Sequence, residues 1–174
     1  MKSVLKNGMK LLLLLLLTGI LGSGQIHPAS AEIEEMIERH NHWRNKLGLP
    51  ALVWSDALAN FAQEWANKLA ANGCKMKHRQ KSSYGENIYW TSDSSTPTKV
   101  VDAWASEEKY FSHKTQKCKK EWYMCGHYTQ LIWEKTKKVG CAVASCGDKG
   151  EIWVCNYDPP GNYTGEKAYT PKKQ

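Results

Sequence analysis

The residues best able to do chemistry in this 174-residue chain are six cysteines and six histidines. The cysteines are Cys74, Cys118, Cys125, Cys141, Cys146 and Cys155. No Cys-x-x-Cys pair occurs among them, which argues against a thiolate zinc site, and an even count suits disulfides in an exported chain. His40 and His42 are two apart, so on a helix they face different ways and cannot share a metal. His40 falls on an apolar face and reads as a hydrogen-bonded core residue, whereas His113 reads as a solvated loop residue. Gly-x-Ser-x-Gly, His-Glu-x-x-His, phosphate-binding and dinucleotide-binding signatures are all missing. Ser106 beside Glu107 is weak evidence for a nucleophile. Two stretches pack polar groups among aromatics, Tyr84 to Ile88 and Gly126 to Trp133.

Helical spacing places Ile33, Met36, Ile37, His40, Arg44 and Leu47 on one face of a helix over 32–46, which Gly48-Leu49-Pro50 ends. Ser55 is a good N-cap for a second helix reaching Ala71, with Asn72-Gly73 as its stop. Thr96-Pro97 opens a third, expected to run to about Phe111. A short fourth fits His127 to Trp133. Strands are expected over 86–90, 139–146 and 151–157, the last two joined by a turn at Gly147 to Gly150. From Pro159 the composition shifts to Pro, Gly, Asn, Tyr and Lys, and an extended tail over the surface is expected. Helices early and a hairpin late make an α+β or layered α-β-α domain. The hairpin turn brings Cys141 close to facing Cys155. Cys118 and Cys125 can close a small loop, which leaves Cys74 to reach Cys146.

Residues 1–31 read as a signal peptide: Lys2, Lys6 and Lys10, then the apolar run from Leu11, then Ala29-Ser30-Ala31 at the cut. The run is short for a membrane-spanning helix. Removal of this segment leaves one domain of ordinary size and lowers the net charge from its full-chain value of +7. Such a balance, with no arginine cluster, argues against a nucleic-acid partner. The expected location is extracellular, or periplasmic in a bacterium.

Gly126-His127-Tyr128-Thr129-Gln130-Leu131-Ile132-Trp133 with Thr136, followed by Cys155 to Tyr163, resembles the signature pair of the CAP superfamily. That superfamily comprises cysteine-rich secretory proteins, antigen 5 proteins and pathogenesis-related class-1 proteins. His40-Asn41 with Arg44, Pro50 to Trp54, Tyr84 to Asn87 and Trp104-x-x-Glu107 agree in order. The likeness spans Ile33 to Tyr169, making 32–169 the domain and 170–174 a tail, and the cysteine layout is most similar to the pathogenesis-related branch.

The resemblance implies a three-layer α-β-α sandwich with three disulfides and a cleft lined by His78, Glu86, Glu107 and His127. Two neutral imidazoles suit Zn²⁺ or another divalent cation, with the carboxylates as ligands or as groups that orient the rings. A buried hydrogen-bonded network without metal is the other reading of the four. Fungal relatives that bind sterols use an aromatic loop before the Gly-His-Tyr-Thr-Gln motif. The matching segment carries Trp122, Tyr123 and Met124, for which packing onto the domain is the simpler reading. The implied function is a secreted defence or host-interaction protein that binds a metal, a sterol or other lipid, or a protein partner, with at most peripheral membrane contact. A metal-dependent hydrolase or protease is the alternative. The tail resembles a plant C-terminal peptide that can be released as a signal.

Overall fold

The computed structural model describes residues 30–171, so nearly all of the expected signal segment, and residues 172–174 of the tail, lie outside the described residues. The elements run α1 (Ser30–Asn45), β1 (Val53–Trp54), α2 (Asp56–Ala71), β2 (Gly85–Thr91), α3 (Pro97–Ala105), β3 (Phe111–Ser112), β4 (Lys117–Cys118), α4 (Gly126–Leu131), β5 (Lys138–Ser145) and β6 (Glu151–Asp158). β1, β5, β6 and β2 form one sheet in that order, with β1 parallel to β5 and the other pairs antiparallel; β3 and β4 form a separate small ladder. No helix among the described residues is long and apolar enough to cross a membrane.

Strand alternation explains the layering. Val139, Cys141, Trp153, Cys155 and Tyr157 point to one side, into a core shared with α1, α3 and α4. Ala142, Ile152, Val154 and Ile88 point to the other, against Ala62, Ala66 and Leu69 of α2. β6 lies between two strands and has both faces covered, so Ile152 to Tyr157 are all buried. This is the three-layer α-β-α sandwich. Gly140 lets α2 lie close against the sheet, since a Cβ there would overlap backbone atoms of Ser55 and Ala59 where α2 begins.

Local signals set most boundaries. The Ser55 hydroxyl accepts from Leu58 N at 3.4 Å, and the Thr96 hydroxyl accepts from Lys99 N at 3.3 Å just before Pro97. Gly73 takes φ +74° after α2. The expected third helix is corrected: α3 stops at Ala105, and Ser106–Tyr110 winds as a tighter 3-10 turn. There Ser106 Oγ donates back to Ala103 O at 2.7 Å, while the Glu107 carboxylate turns toward the start of α4.

Three disulfides join Cys74 to Cys146, Cys118 to Cys125 and Cys141 to Cys155; the last pair sits at directly facing positions of β5 and β6. The tail does not simply lie over the surface. Ala168 and Tyr169 are buried in the larger core. Ala168 O accepts from Glu134 N at 2.7 Å, and Tyr169 N donates to Gln116 Oε1 at 3.3 Å.

Candidate functional site

Glu107 and His127 are joined by the chain's need to finish α4. A helix start leaves backbone N–H groups without partners, and Cys125 at the N-cap offers no side-chain acceptor. Glu107 supplies one from the 3-10 turn after α3: Oε2 accepts from the N–H of His127 at 2.9 Å and of Tyr128 at 3.2 Å. Its other oxygen meets His127 Nδ1 at 2.7 Å. Three contacts on one carboxylate therefore fix the imidazole, which stacks on Trp104 with ring centroids 6.3 Å apart.

His78 and Glu86 make the second pair. Glu86 Oε1 accepts from Arg79 N at 3.0 Å and lies 2.8 Å from His78 Nδ1. The Glu86 side chain is only 6 % exposed, whereas that of His78 is 61 % exposed. Glu86 Oε2 is buried and has no hydrogen-bond partner among the described residues. Arg79 anchors the segment to α2, donating to Phe61 O at 3.1 Å and pairing with Glu64 at 3.0 Å.

β2 is the edge strand that connects these pairs. Glu86 and Asn87 are neighbours and so project to opposite faces. Asn87 Nδ2 donates to His127 O at 3.1 Å and to Tyr157 Oη at 3.2 Å. His40 Nδ1 faces Met36 O, an acceptor only, at 2.8 Å, so Nδ1 carries the proton and Nε2 accepts from the Tyr157 hydroxyl at 3.0 Å. The network is thus polarised in one direction, from Asn87 through Tyr157 to His40.

Beside it the buried Arg44 guanidinium donates to the carbonyls of Pro50, Leu131, Trp133 and Thr136, tying α1 to the C-terminal end of α4. Burial pulls the Arg44 pKa down to about 10, leaving it charged at neutral pH.

Each of the four expected cleft residues is thus paired His-to-Glu, but the four do not form one compact ligand set. Among the described residues, His40, Cys141 and Cys155 are the only group of three such side chains whose donor atoms lie within 4.8 Å of one another. The two sulfurs are bonded to each other and both ring nitrogens of His40 are engaged, so this group is core packing without a ligating thiolate.

Trp122 and Tyr123 are not packed onto the domain: they are 75 % and 60 % exposed, while Met124 is half-buried. Trp122 forms part of the wall of a cavity of about 460 Å³, with Phe111, Thr129, Trp133, Asn162 and Tyr163. The far wall comes from the tail, held by Asn162, whose amide accepts from Thr129 Oγ1 at 2.7 Å and donates to Gly126 O at 2.8 Å.

Comparison with known proteins decides the family. The description "CAP: Cysteine-rich secretory protein family" matches residues 37–157, well over half of the chain. The chain belongs to the CAP family. A pathogenesis-related protein PR-1 of Medicago truncatula is 45 % identical over 128 residues, covering 72 % of each chain. Pathogenesis-related protein 1C of Nicotiana tabacum is 40 % identical over 137 residues, covering 78 % of this chain and 80 % of that one. Among solved structures, Na-ASP-1 superposes with a TM-score of 0.74 at 24 % identity, covering 84 % of this chain and 43 % of that one. A structure titled NaASP2 with Zn2+ gives 0.71 at 24 % identity, covering 83 % and 88 %. These two establish the likeness of fold.

One polar cluster of this CAP domain escaped the sequence reading. His113 lies in the β3–β4 turn as expected but is half-buried and bonded rather than simply solvated: its Nδ1 lies 2.8 Å from the Tyr169 hydroxyl and its Nε2 3.2 Å from Glu108, which also accepts from Tyr128 at 3.3 Å. The signal was weak, since the partners come from positions 56 residues downstream and 5 upstream. The cavity was missed for a similar reason, because its walls join the signature helix to a segment that reads as tail.

Proposed function

We propose that this CAP protein acts outside the cell as a defence-type binding protein that takes a sterol or other lipid in the cavity beside the Cys118–Cys125 loop. The observation that carries this reading is a cavity of about 460 Å³ lined by Phe111, Trp122, Trp133 and Tyr163, with Thr129, Asn162 and Glu166 among its polar groups. Small-molecule sites are of this kind, roughly 300–1,000 Å³ and mainly apolar with a few placed polar groups. The basic and apolar leader supports an extracellular location, as do three disulfides and relatives named pathogenesis-related proteins.

A second property is supported by the paired histidines. With Nδ1 of His78 and of His127 each against a carboxylate, Nε2 is the ring atom that would hold a divalent cation such as Zn²⁺, and the carboxylate fixes the ring. Glu86 Oε2, buried and without a hydrogen-bond partner among the described residues, is a further oxygen available on the His78 side of the site. A bound cation would supply Lewis acidity. The metal-dependent hydrolase is the alternative. It finds little support in Ser106, whose hydroxyl donates to Ala103 O.

Calorimetry with cholesterol and with Zn²⁺ tests both properties. Trp122→Ala is expected to weaken sterol binding and leave Zn²⁺ binding unchanged. His127→Ala is expected to do the reverse, and Glu107→Gln to weaken Zn²⁺ affinity about 10–100-fold. Failure to bind either, with hydrolytic turnover lost on His127→Ala, would replace the binding reading with the hydrolase.

A further inference from the structure

The β3–β4 ladder and the disulfide loop after it carry a concentration of positive charge. Lys109, Lys114, Lys117, Lys119 and Lys120 are all exposed, and from Lys109 to Tyr123 the one acidic residue is Glu121. None of these lysines takes part in an ion pair among the described residues, in contrast to Arg39 with Asp102, Lys68 with Glu64 and Lys135 with Glu166. Lys119 Nζ donates to Lys109 O at 2.9 Å, which leaves its charge uncompensated. The nearby Glu108 is occupied by His113 and Tyr128.

The platform is held firmly. Phe111 and Gln116 are buried beneath it, Phe111 pairs with Cys118 and Ser112 with Lys117, and Cys118 is bonded to Cys125. On that closed loop stand Trp122 and Tyr123, their rings 6.1 Å apart and mostly exposed.

We infer that this face docks on an anionic lipid bilayer, the lysines lying over acidic headgroups and the Trp122 and Tyr123 rings entering the interface. Indole and phenol each combine an apolar body with one polar tip, the combination favoured at headgroup depth. Lysines are mobile point charges suited to a diffuse anionic surface. Bidentate recognition of single phosphates or bases favours arginine, which this face lacks. A preformed loop pays little ordering entropy on docking. The docking needs no ligand in the cavity, although it would turn the wall formed by Trp122 toward the bilayer.

Flotation of the purified protein with sterol-free vesicles tests this, comparing phosphatidylcholine alone with phosphatidylcholine plus phosphatidylserine. Binding is expected only with phosphatidylserine, and it should fall as salt rises. Each lysine near such a surface contributes roughly fivefold in partitioning, so Lys117→Ser with Lys120→Ser should lower it by about 25-fold. Trp122→Ser should also lower it. The charge-matched pair Lys99→Ser with Lys138→Ser, far from this loop in sequence, should leave it near the parent value.

Equal binding to both vesicle types, or equal loss in the two lysine pairs, would overturn the proposal. Binding to soluble heparin as tight as to vesicles, and indifferent to Trp122, would assign the face to a soluble polyanion instead. Loss of docking on sterol-free vesicles while cholesterol still binds would sink this inference and leave the cavity reading standing.

Discussion

Acid should destabilise this protein through His40, a residue far from any surface. Its ring is fully buried, and desolvation pulls its pKa from the ordinary 6.5 to about 4; the bond to Met36 O opposes that shift and the Arg44 charge adds to it. The unfolded chain therefore takes up a proton near pH 6.5 that the folded protein refuses until about pH 4. Stability from this group is fully present above pH 6.5 and is lost as pH falls toward 4. Linkage makes the loss about 2 kcal/mol between pH 7 and 5, and about 3 kcal/mol by pH 4. Protonation at Nε2 would also reverse the polarity of the bond from the Tyr157 hydroxyl.

The assay is urea unfolding at a series of pH values with disulfides intact, on the parent and on His40→Gln. The variant should be less stable at pH 7 but should lack this part of the slope, so the two curves converge as pH falls. Should His40→Gln fail to fold, the parent's imidazole resonance reads the same quantity directly. Parallel curves, or a native His40 resonance titrating near pH 6.5, would refute the reasoning.

Arg44→Met removes the donor shared by four carbonyls, three of them in buried bonds; at roughly 1–3 kcal/mol for each buried acceptor left unpaired, a loss of about 3 kcal/mol or more is expected in urea unfolding at pH 7. Arg44→Lys should recover little of it, because an ammonium cannot reproduce the planar fork. Joint replacement of Cys74 and Cys146 by alanine opens a link between residues 72 apart in sequence. On a chain-entropy basis that costs about 4 kcal/mol, read as a lowered denaturation midpoint with far-UV circular dichroism unchanged before the transition.

Much of the architecture was legible because it rests on local or periodic signals. Ser55, Thr96-Pro97 and Asn72-Gly73 mark helix ends by chemistry that acts within a few residues, and the β5–β6 pairing follows from period-two alternation around one turn. Features that depend on distant partners were less legible. The end of α3 at Ala105 depends on Glu107 being drawn to amides of α4, 20 residues on. β1, at two residues, is too short to carry a pattern and exists because Lys137 O and Val139 O accept from it and from Ser55.

Within the candidate site, spacing alone could not have joined His78 to Glu86 or His127 to Glu107; family resemblance nominated all four. It did not reveal the split into two pairs, one held by Glu86 on the edge strand β2 and the other reached from that strand through Asn87, which faces the opposite way. Nor did periodicity foresee the exposure of Trp122 and Tyr123, because a closed disulfide loop whose cysteines are only 7 apart in sequence leaves them no core to reach.

The burial of Ala168 and Tyr169 bears on the idea that a C-terminal peptide is set free. A protease nicking the chain between Pro159 and Gly165 would cut one covalent strand while the fragment stayed lodged by its two innermost side chains and by the contacts with Glu134, Gln116 and His113. Discharge of such a peptide would therefore be a slow, separate event governed by how often the domain opens, and a nicked, fully assembled protein would accumulate first.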